Sequence, residues 1–317
     1  MQLGKWFNLR RYRRCRGIFR RPARVHVQST SGARRPLVVE MLAGGSIEID
    51  DVRRCRPMFD WLLEQSPDPL PVTADSGLVT FHHQGWRISL RPSGPEFVVF
   101  REIFWEDVYG IERLPQRLGT IVDLGANVGL FTLRVAARAE RIVSVEPVAA
   151  NFALAGRNIA QAGLSDRVTL RRLAVAGESG KTTTIHLGGA NSGSHSIVPD
   201  NVARWNPAGS EMVPTISLPD LFESEGIGRC SLLKCDVEGA EFEVFRAVGL
   251  DVLARIDRIV MEVHLGPGSE DADQFGGLCE KLRSAGFRVQ HGSLDRGCGK
   301  LQSRFMLTAD LDGNGRR

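Results

Sequence analysis

Thr120 to Leu130 reads T-I-V-D-L-G-A-N-V-G-L, and this stretch constrains the fold more than any other part of the chain. A short apolar run ends in Asp123. Gly125 and Gly129 follow, with Asn127 between them, and Leu130 to Ala137 is then apolar at helical spacing. The order is strand, tight turn, helix. Glycines there let the backbone take left-handed angles and let a ligand approach the main chain closely. The helix beyond them opens with N–H groups that lack internal partners.

A second acidic tip follows. Arg141 to Pro147, R-I-V-S-V-E-P, reads as a buried strand ending in Glu146. An acidic residue about 20 positions past a glycine turn is placed to accept hydrogen bonds from two ribose hydroxyls. A dinucleotide site calls for G-x-G-x-x-G and a pyrophosphate on the helix N-terminus. Here the pattern is D-x-G-x-N-x-G, and a carboxylate before the turn would repel a pyrophosphate. It suits a cationic ligand such as S-adenosylmethionine, which carries a sulfonium and an ammonium.

From Thr120 onward the alternation is regular. Strands are expected at 120–125, 141–146, 168–175, 231–236, 258–264, 287–291 and 304–309, and helices at 128–138, 149–162, 240–248 and 273–285. Strand-like pieces at 182–187 and 212–216 sit in the crossover before the fourth main strand. Strands separated by helices imply an α/β fold with a doubly wound, mostly parallel sheet, its last two strands antiparallel at one edge. Ligands of such sheets bind at the carboxyl ends of the strands near the switch point. That rule makes neighbours of Asp123, Glu146, Asp236 and His264.

The rest of the chain divides into pieces. Residues 1–35 hold Lys5 and ten arginines and no acidic residue, leaving 30 basic against 37 acidic residues beyond them. A basic leader on an acidic body can contact an anionic surface or a nucleic acid, or can simply be solvated. Residues 36–95 read as a small N-terminal subdomain or cap, with a strand at Leu37 to Leu42 and a helix at Pro57 to Gln65. A Pro-rich loop follows at Ser66 to Ser76, then a hairpin around Gln84-Gly85. The catalytic domain spans 96–310, and 311–317 is a tail. A helix from about Val99 towards Gly110 would bring Glu102 and Glu106 together. No apolar run reaches the ~20 residues of a membrane helix. The six cysteines form no C-x-x-C pair, which reads as reduced thiols in the cytosol.

Three further stretches carry chemistry. In L-L-K-C-D-V-E-G-A-E, Leu232 to Glu241, Asp236 and Glu238 fall at the strand end and in the turn. Glu241 suits the first turn of a helix, where the dipole stabilises it. In I-V-M-E-V-H-L, alternation puts Val260, Glu262 and His264 on one face. A histidine beside carboxylates can accept a hydroxyl proton near neutral pH. Asp236, Glu238 and Glu262 could also hold Mg²⁺, although no metal is expected at the site. Asn191 to Ser196, with Ser194 and His195, could fold over the site as a lid.

Together these segments resemble the FkbM family of S-adenosylmethionine-dependent methyltransferases. The likeness spans roughly Phe97 to Ala309. It rests on E-I-F-W-E-D-V-Y (102–109), D-L-G-A-N-V-G-L-F-T-L (123–133), S-V-E-P (144–147), N-I-A-Q-A-G-L (158–164), L-A-V-A (173–176), K-C-D-V-E-G-A-E (234–241) and M-E-V-H (261–264). Cys235 departs from the family, which often has a larger aliphatic residue there. The resemblance implies a seven-stranded class I methyltransferase sheet. It implies that Gly125, Asn127 and Gly129 hold the methionine part of S-adenosylmethionine, that Glu146 binds its ribose, and that Ala174 lies beside its adenine. Asp123 and Glu102 are expected on the cofactor side. It also implies O-methylation of a sugar, glycolipid or secondary-metabolite hydroxyl. His264 or Asp236 would serve as base, with Glu238 and Glu262 orienting the acceptor. A nucleic-acid methyltransferase using the leader, or a non-catalytic scaffold, are the alternatives. Nucleic acid is disfavoured by the acidic body.

Overall fold

The computed structural model of the protein describes residues 37–40, 46–49, 54–64, 72–188, 195–196, 207–265, 269–292 and 303–312. The basic leader, Ser194 and most of the expected tail lie outside them. The chain forms two compact units that meet in sequence between Glu102 and Ile103.

In the first unit, β1 (Leu37–Glu40) pairs antiparallel with β2 (Ser46–Ile49). Helix α1 (Arg56–Glu64) follows, and then an antiparallel sheet of β3 (Val72–Asp75), β4 (Leu78–His83) and β5 (Trp86–Leu90). The expected hairpin at Gln84-Gly85 is present, both residues having the positive φ (49° and 85°) of a turn that matches strand twist. Ser76 and Gly77 repeat that geometry between β3 and β4, so the end of the expected loop is a strand instead. The prolines at 67, 69 and 71 stop just short of V-T-A-D, whose N–H groups are free to pair. Trp61 centres this unit, with ring centroids 4.4 Å from Phe81 and 5.2 Å from Phe97. Such aromatic contacts add ~0.5–1.5 kcal/mol each beyond area burial. Helix α2 (Glu96–Phe104) is shorter than expected and ends before Glu106. Beyond it Asp107 takes φ 48° and turns its carboxylate onto the N–H groups of Ile111 and Glu112. That local capping competes with helix continuation.

The second unit is built on a seven-stranded sheet. Its strands are β6 (Leu118–Leu124), β7 (Ala139–Val145), β8 (Val168–Arg171), β12 (Leu232–Cys235), β13 (Arg258–Leu265), β14 (Phe287–His291) and β15 (Ser303–Leu311). The spatial order is β14-β15-β13-β12-β6-β7-β8. β15 runs antiparallel to both neighbours and the other pairings are parallel, giving the class I methyltransferase arrangement. From β6 the chain builds outward to β7 and β8, then returns to place β12 and β13 on the other side. The switch point therefore lies between β6 and β12. Helices α3 (Leu130–Ala136), α4 (Ala149–Gln161), α5 (Leu218–Ser224), α6 (Glu241–Ala247), α7 (Leu250–Leu253) and α8 (Ser269–Ser284) flank the strands in sequence. Ser217 caps α5 by accepting the Asp220 N–H, and Gly163 (φ 67°) follows the end of α4.

One expectation changes shape. The strand expected over 168–175 breaks after Arg171, and β9 (Ala174–Val175) joins another sheet. There it pairs with β11 (Pro207–Ile216), which pairs in turn with β10 (Thr182–Gly188). The two crossover pieces are thus one long hairpin in a small separate sheet. Ile185 on that hairpin packs with Val148, Ala174 and Val213.

Candidate active site

The two turns at the switch point interlock. Leu124 accepts the Asp236 N–H, and the Gly125 and Ala126 N–H groups both reach the Val145 carbonyl. Gly125 takes φ 76°, and a Cβ there would stand 1.8 Å from the Asp236 carbonyl oxygen. Only glycine satisfies both the angle and the contact. Asn127 also has positive φ (51°), which Asn tolerates better than most residues. Gly129, also expected at the cofactor, does not line the cleft; it takes φ 84°, and a Cβ there would make only an ordinary 3.5 Å contact with Ala155 of α4.

An open cleft of about 610 Å³, part of it shared with solvent, lies over these turns. Gly125, Asn127, Glu146 and Ala174, expected at the cofactor, line it, and so do Asp236 and Glu238, expected at the acceptor. Pro147, Val148, Leu173, Val175 and Ile185 add an apolar wall. His195, one of the two described residues of the stretch expected as a lid, also lines the cleft. The Gly188 N–H donates to His195 Nδ1 at 3.0 Å, and Ser196 Oγ donates to the Glu238 carbonyl at 2.5 Å. The shape suits a nucleoside cofactor: a glycine cradle, a carboxylate and an apolar slot.

Glu146 is buried at the lip of the cleft. Its carboxylate accepts the Asn127 N–H at 2.8 Å and the Val148 N–H at 3.0 Å. Burial pushes its pKa from 4.5 up to about 7, against the pull of those N–H groups.

Asp123 is fully buried and does not line the cleft. It accepts from Thr132 Oγ1 at 2.7 Å and ion-pairs with Lys234 Nζ at 3.3 Å. Lys234 faces it across the strand pairing, and its ammonium also donates to the Gly125 carbonyl at 2.7 Å. Burial works against the Lys234 charge, but Asp123 and Asp236 outweigh it and hold its pKa above the usual value. Glu102 falls on α2, at the end of the first unit.

On the acceptor side, Asp236 Oδ2 accepts from the Tyr109 hydroxyl at 3.2 Å. Glu262 and His264 share a face of β13, as the alternation predicts, but both are buried and neither lines the cleft. Three carboxylates surround the His264 ring. Glu241 lies 3.0 Å from Nδ1, and Glu238 and Glu262 lie 3.5 and 3.6 Å from Nε2. Burial alone would push the imidazole pKa down, but Glu238 and Glu241 hold it well above the usual range. Glu238 moves up to about 8, through burial first and then its acidic neighbours, with His264 pulling the other way. Asp236, Glu238 and His264 each offer one ligand atom within 4.8 Å of the others, so a divalent cation could also bridge them.

Glu241 does more than begin a helix. It is fully buried, accepts the Val237 and Gly239 N–H groups, and ties that turn to His264. Lys234 and Tyr109 were not singled out in the sequence at all. A lysine inside L-L-K-C was the signal available, because a charge in a buried strand requires a partner. Tyr109 carried no comparable signal.

The Methyltransferase FkbM domain matches residues 123–289. The chain is similar to AMB antimetabolite synthetase AmbE of Pseudomonas aeruginosa, 31% identical over 228 residues, a match that covers 60% of this chain but only 10% of AmbE. Methyltransferase sdnD of Sordaria araneosa is 28% identical over 193 residues, covering 52% of this chain and 73% of that protein. Methyltransferase 1 of Beauveria bassiana is 27% identical over 206 residues, covering 60% and 80%. A solved structure, methyltransferase FkbM from Methylobacillus flagellatus, covers 67% of this chain and 50% of its own at 14% identity and a TM-score of 0.41. The domain match covers more than half of the 317 residues and includes both interlocked turns, and the chain belongs to the FkbM methyltransferase family.

Proposed function

We propose that the protein is an S-adenosylmethionine-dependent O-methyltransferase acting on a hydroxyl of a sugar, glycolipid or secondary metabolite. The observation that supports this reading is the single cleft that Gly125 and Glu146 line together with Asp236 and Glu238. The residues fit the cofactor. Gly125, Asn127 and Glu146 would hold its methionine and ribose, and Ala174 and Ile185 would flank its adenine. Asp123 belongs to the same reading by fixing the turn through Lys234, whereas Glu102 does not line the cleft. When bound, S-adenosylmethionine supplies an electrophilic methyl group.

The protein's own work is then to align a hydroxyl and to receive its proton. His264 already carries a proton, so it acts as counter-ion to Glu238, Glu241 and Glu262. The proton acceptor is a carboxylate on the cleft wall, Asp236 or Glu238. With a pKa of about 8, Glu238 is a stronger base than an ordinary carboxylate and is matched to neutral pH. Two adjacent carboxylates also suit a polyhydroxylated acceptor, since each oxygen can accept from a neighbouring hydroxyl.

The test is calorimetric titration with S-adenosylmethionine, followed by methyl-transfer assays on a panel of glycosides and polyols. Binding that Glu146→Ala abolishes, with label appearing on a hydroxyl, supports the reading. A folded wild-type protein that binds no S-adenosylmethionine refutes it.

A further inference from the structure

Lys234 is a charged residue in the middle of a buried strand, and it belongs to neither wall of the cleft. Its ammonium lies 2.7 Å from the Gly125 carbonyl and 3.2 Å from that of Leu124, both in the turn assigned to the cofactor. The same ammonium lies 3.7 Å from Asp236 Oδ2, in the turn assigned to the acceptor. Asp123 balances it from below at 3.3 Å. The rings of Tyr109 and Phe131 close the remaining sides, with centroids 5.8 and 6.0 Å from Nζ. Tyr109 in turn holds Asp236 through its hydroxyl.

Charge neutralisation of Asp123 would need only one contact. Instead Nζ spends its best hydrogen bond on a backbone carbonyl of the glycine turn and reaches the carboxylate of the other turn. The two turns already touch, since Gly125 has no room for a Cβ against the Asp236 carbonyl. A small shift in either turn therefore changes how Asp236 lies against the glycine turn, and methyl transfer is sensitive to such shifts.

We propose that Lys234 is a positioning residue that sets the placement of Asp236 relative to the cofactor turn, in addition to neutralising Asp123. The inference rests on the methyl-transfer reading above. It needs no knowledge of the acceptor, because a cofactor analogue can report the geometry. Sinefungin carries an amino group in place of the transferable methyl. That cation faces whatever lies on the acceptor wall. S-adenosylhomocysteine has nothing there. The ratio of the two affinities therefore reads the position of Asp236 and Glu238 against the bound cofactor.

The experiment measures both affinities by calorimetry for the wild type, Asp123→Asn and the double variant Asp123→Asn with Lys234→Met. The double change removes the buried pair together, which avoids leaving one charge stranded. The wild type is expected to prefer sinefungin by about tenfold or more, as a cation facing two carboxylates should. Asp123→Asn keeps that preference. The double variant loses most of it, to within about twofold, while its S-adenosylhomocysteine affinity falls by less than about threefold. If the double variant does not unfold cooperatively, Asp123→Asn with Lys234→Gln, which retains donors without stranding a charge, is used and the same loss is expected. A double variant with the wild-type preference overturns the inference and reduces Lys234 to a neutralising role. A wild type that binds neither ligand removes the methyl-transfer reading itself.

Discussion

Glu146 should impose a pH dependence on cofactor binding. Its carboxyl is 4% exposed, and burial raises its pKa from 4.5 to about 7. With a pKa of about 7, roughly ten in eleven molecules are protonated at pH 6 and one in eleven at pH 8. Ribose hydroxyls donate to the carboxylate, so cofactor binding selects the ionised form. S-adenosylhomocysteine should then bind about tenfold more weakly at pH 6 than at pH 8, close to 1.4 kcal/mol. Titration at pH 6 in two buffers of different ionisation enthalpy should show nearly one proton released per ligand, and almost none at pH 8. Glu146→Gln should bind weakly at every pH with no slope. Glu238→Gln should keep the slope, which separates Glu146 from the neighbouring carboxyl that titrates at about 8. Without ligand the sign reverses. A native pKa above the unfolded value means the native state holds the proton more tightly. Stability should therefore fall as pH rises from about 4.5 to 7, by at most ~3 kcal/mol from this group. An affinity that is flat from pH 6 to 8, with no proton released, would refute the assignment of Glu146 to the ribose.

Four other outcomes are expected. Gly125→Ala puts a Cβ 1.8 Å from the Asp236 carbonyl at a positive φ, so it should cost ~2 kcal/mol or more in urea unfolding and abolish S-adenosylhomocysteine binding. His264→Gln strands the fully buried Glu241 without its cation, and a loss of about 3–5 kcal/mol is expected in the same assay. Thr132→Val removes the bonds to Asp123 and Ser144, costing about 1–3 kcal/mol while leaving ligand affinity near wild type. Chelation of divalent cations should leave ligand binding and methyl transfer unchanged, because an imidazolium at His264 offers no lone pair to a metal. Activity lost to chelator and restored by Mg²⁺ would count against that protonation state.

The sheet was legible because its strands carry continuous apolar runs that stop at Asp123, Glu146 and Asp236. Parallel strands buried on both faces leave that pattern. The β10–β11 hairpin was less legible. Its two strands are separated in sequence by a long polar stretch, and no local signal pairs them. Gly125, Asn127, Glu146, Asp236 and Glu238 were legible as cleft residues because each has a chemical reason to stand at a strand end; Ala174 followed from the family resemblance and His195 from its polar loop. Val148, Leu173 and Ile185 were not, because an apolar residue that lines a slot looks in sequence like one that fills a core. The role of His264 was the hardest to read. Alternation placed it beside Glu262, but the carboxylate on its Nδ1 comes from Glu241, 23 residues away on another element. Only the folded geometry shows that this histidine is surrounded by acids, which hold its pKa well above the usual range.

The charges of the site fall into two layers, and the division explains why so many acidic residues can share one place. Glu146, Asp236 and Glu238 face the cleft. Asp123, Lys234, Glu241, Glu262 and His264 lie buried behind them. Each rear cation touches both layers: Lys234 joins Asp123 to Asp236, and His264 joins Glu241 and Glu262 to Glu238. Without these two cations the carboxylates would raise one another's pKa and several would be neutral at pH 7. Even with them, burial holds Glu146 at about 7 and Glu238 at about 8, so the front layer keeps groups that change charge near neutral pH, one of them basic enough to take a hydroxyl proton. A front-layer substitution should therefore remove a ligand contact, whereas a rear-layer substitution should shift the pH at which the intact front layer works.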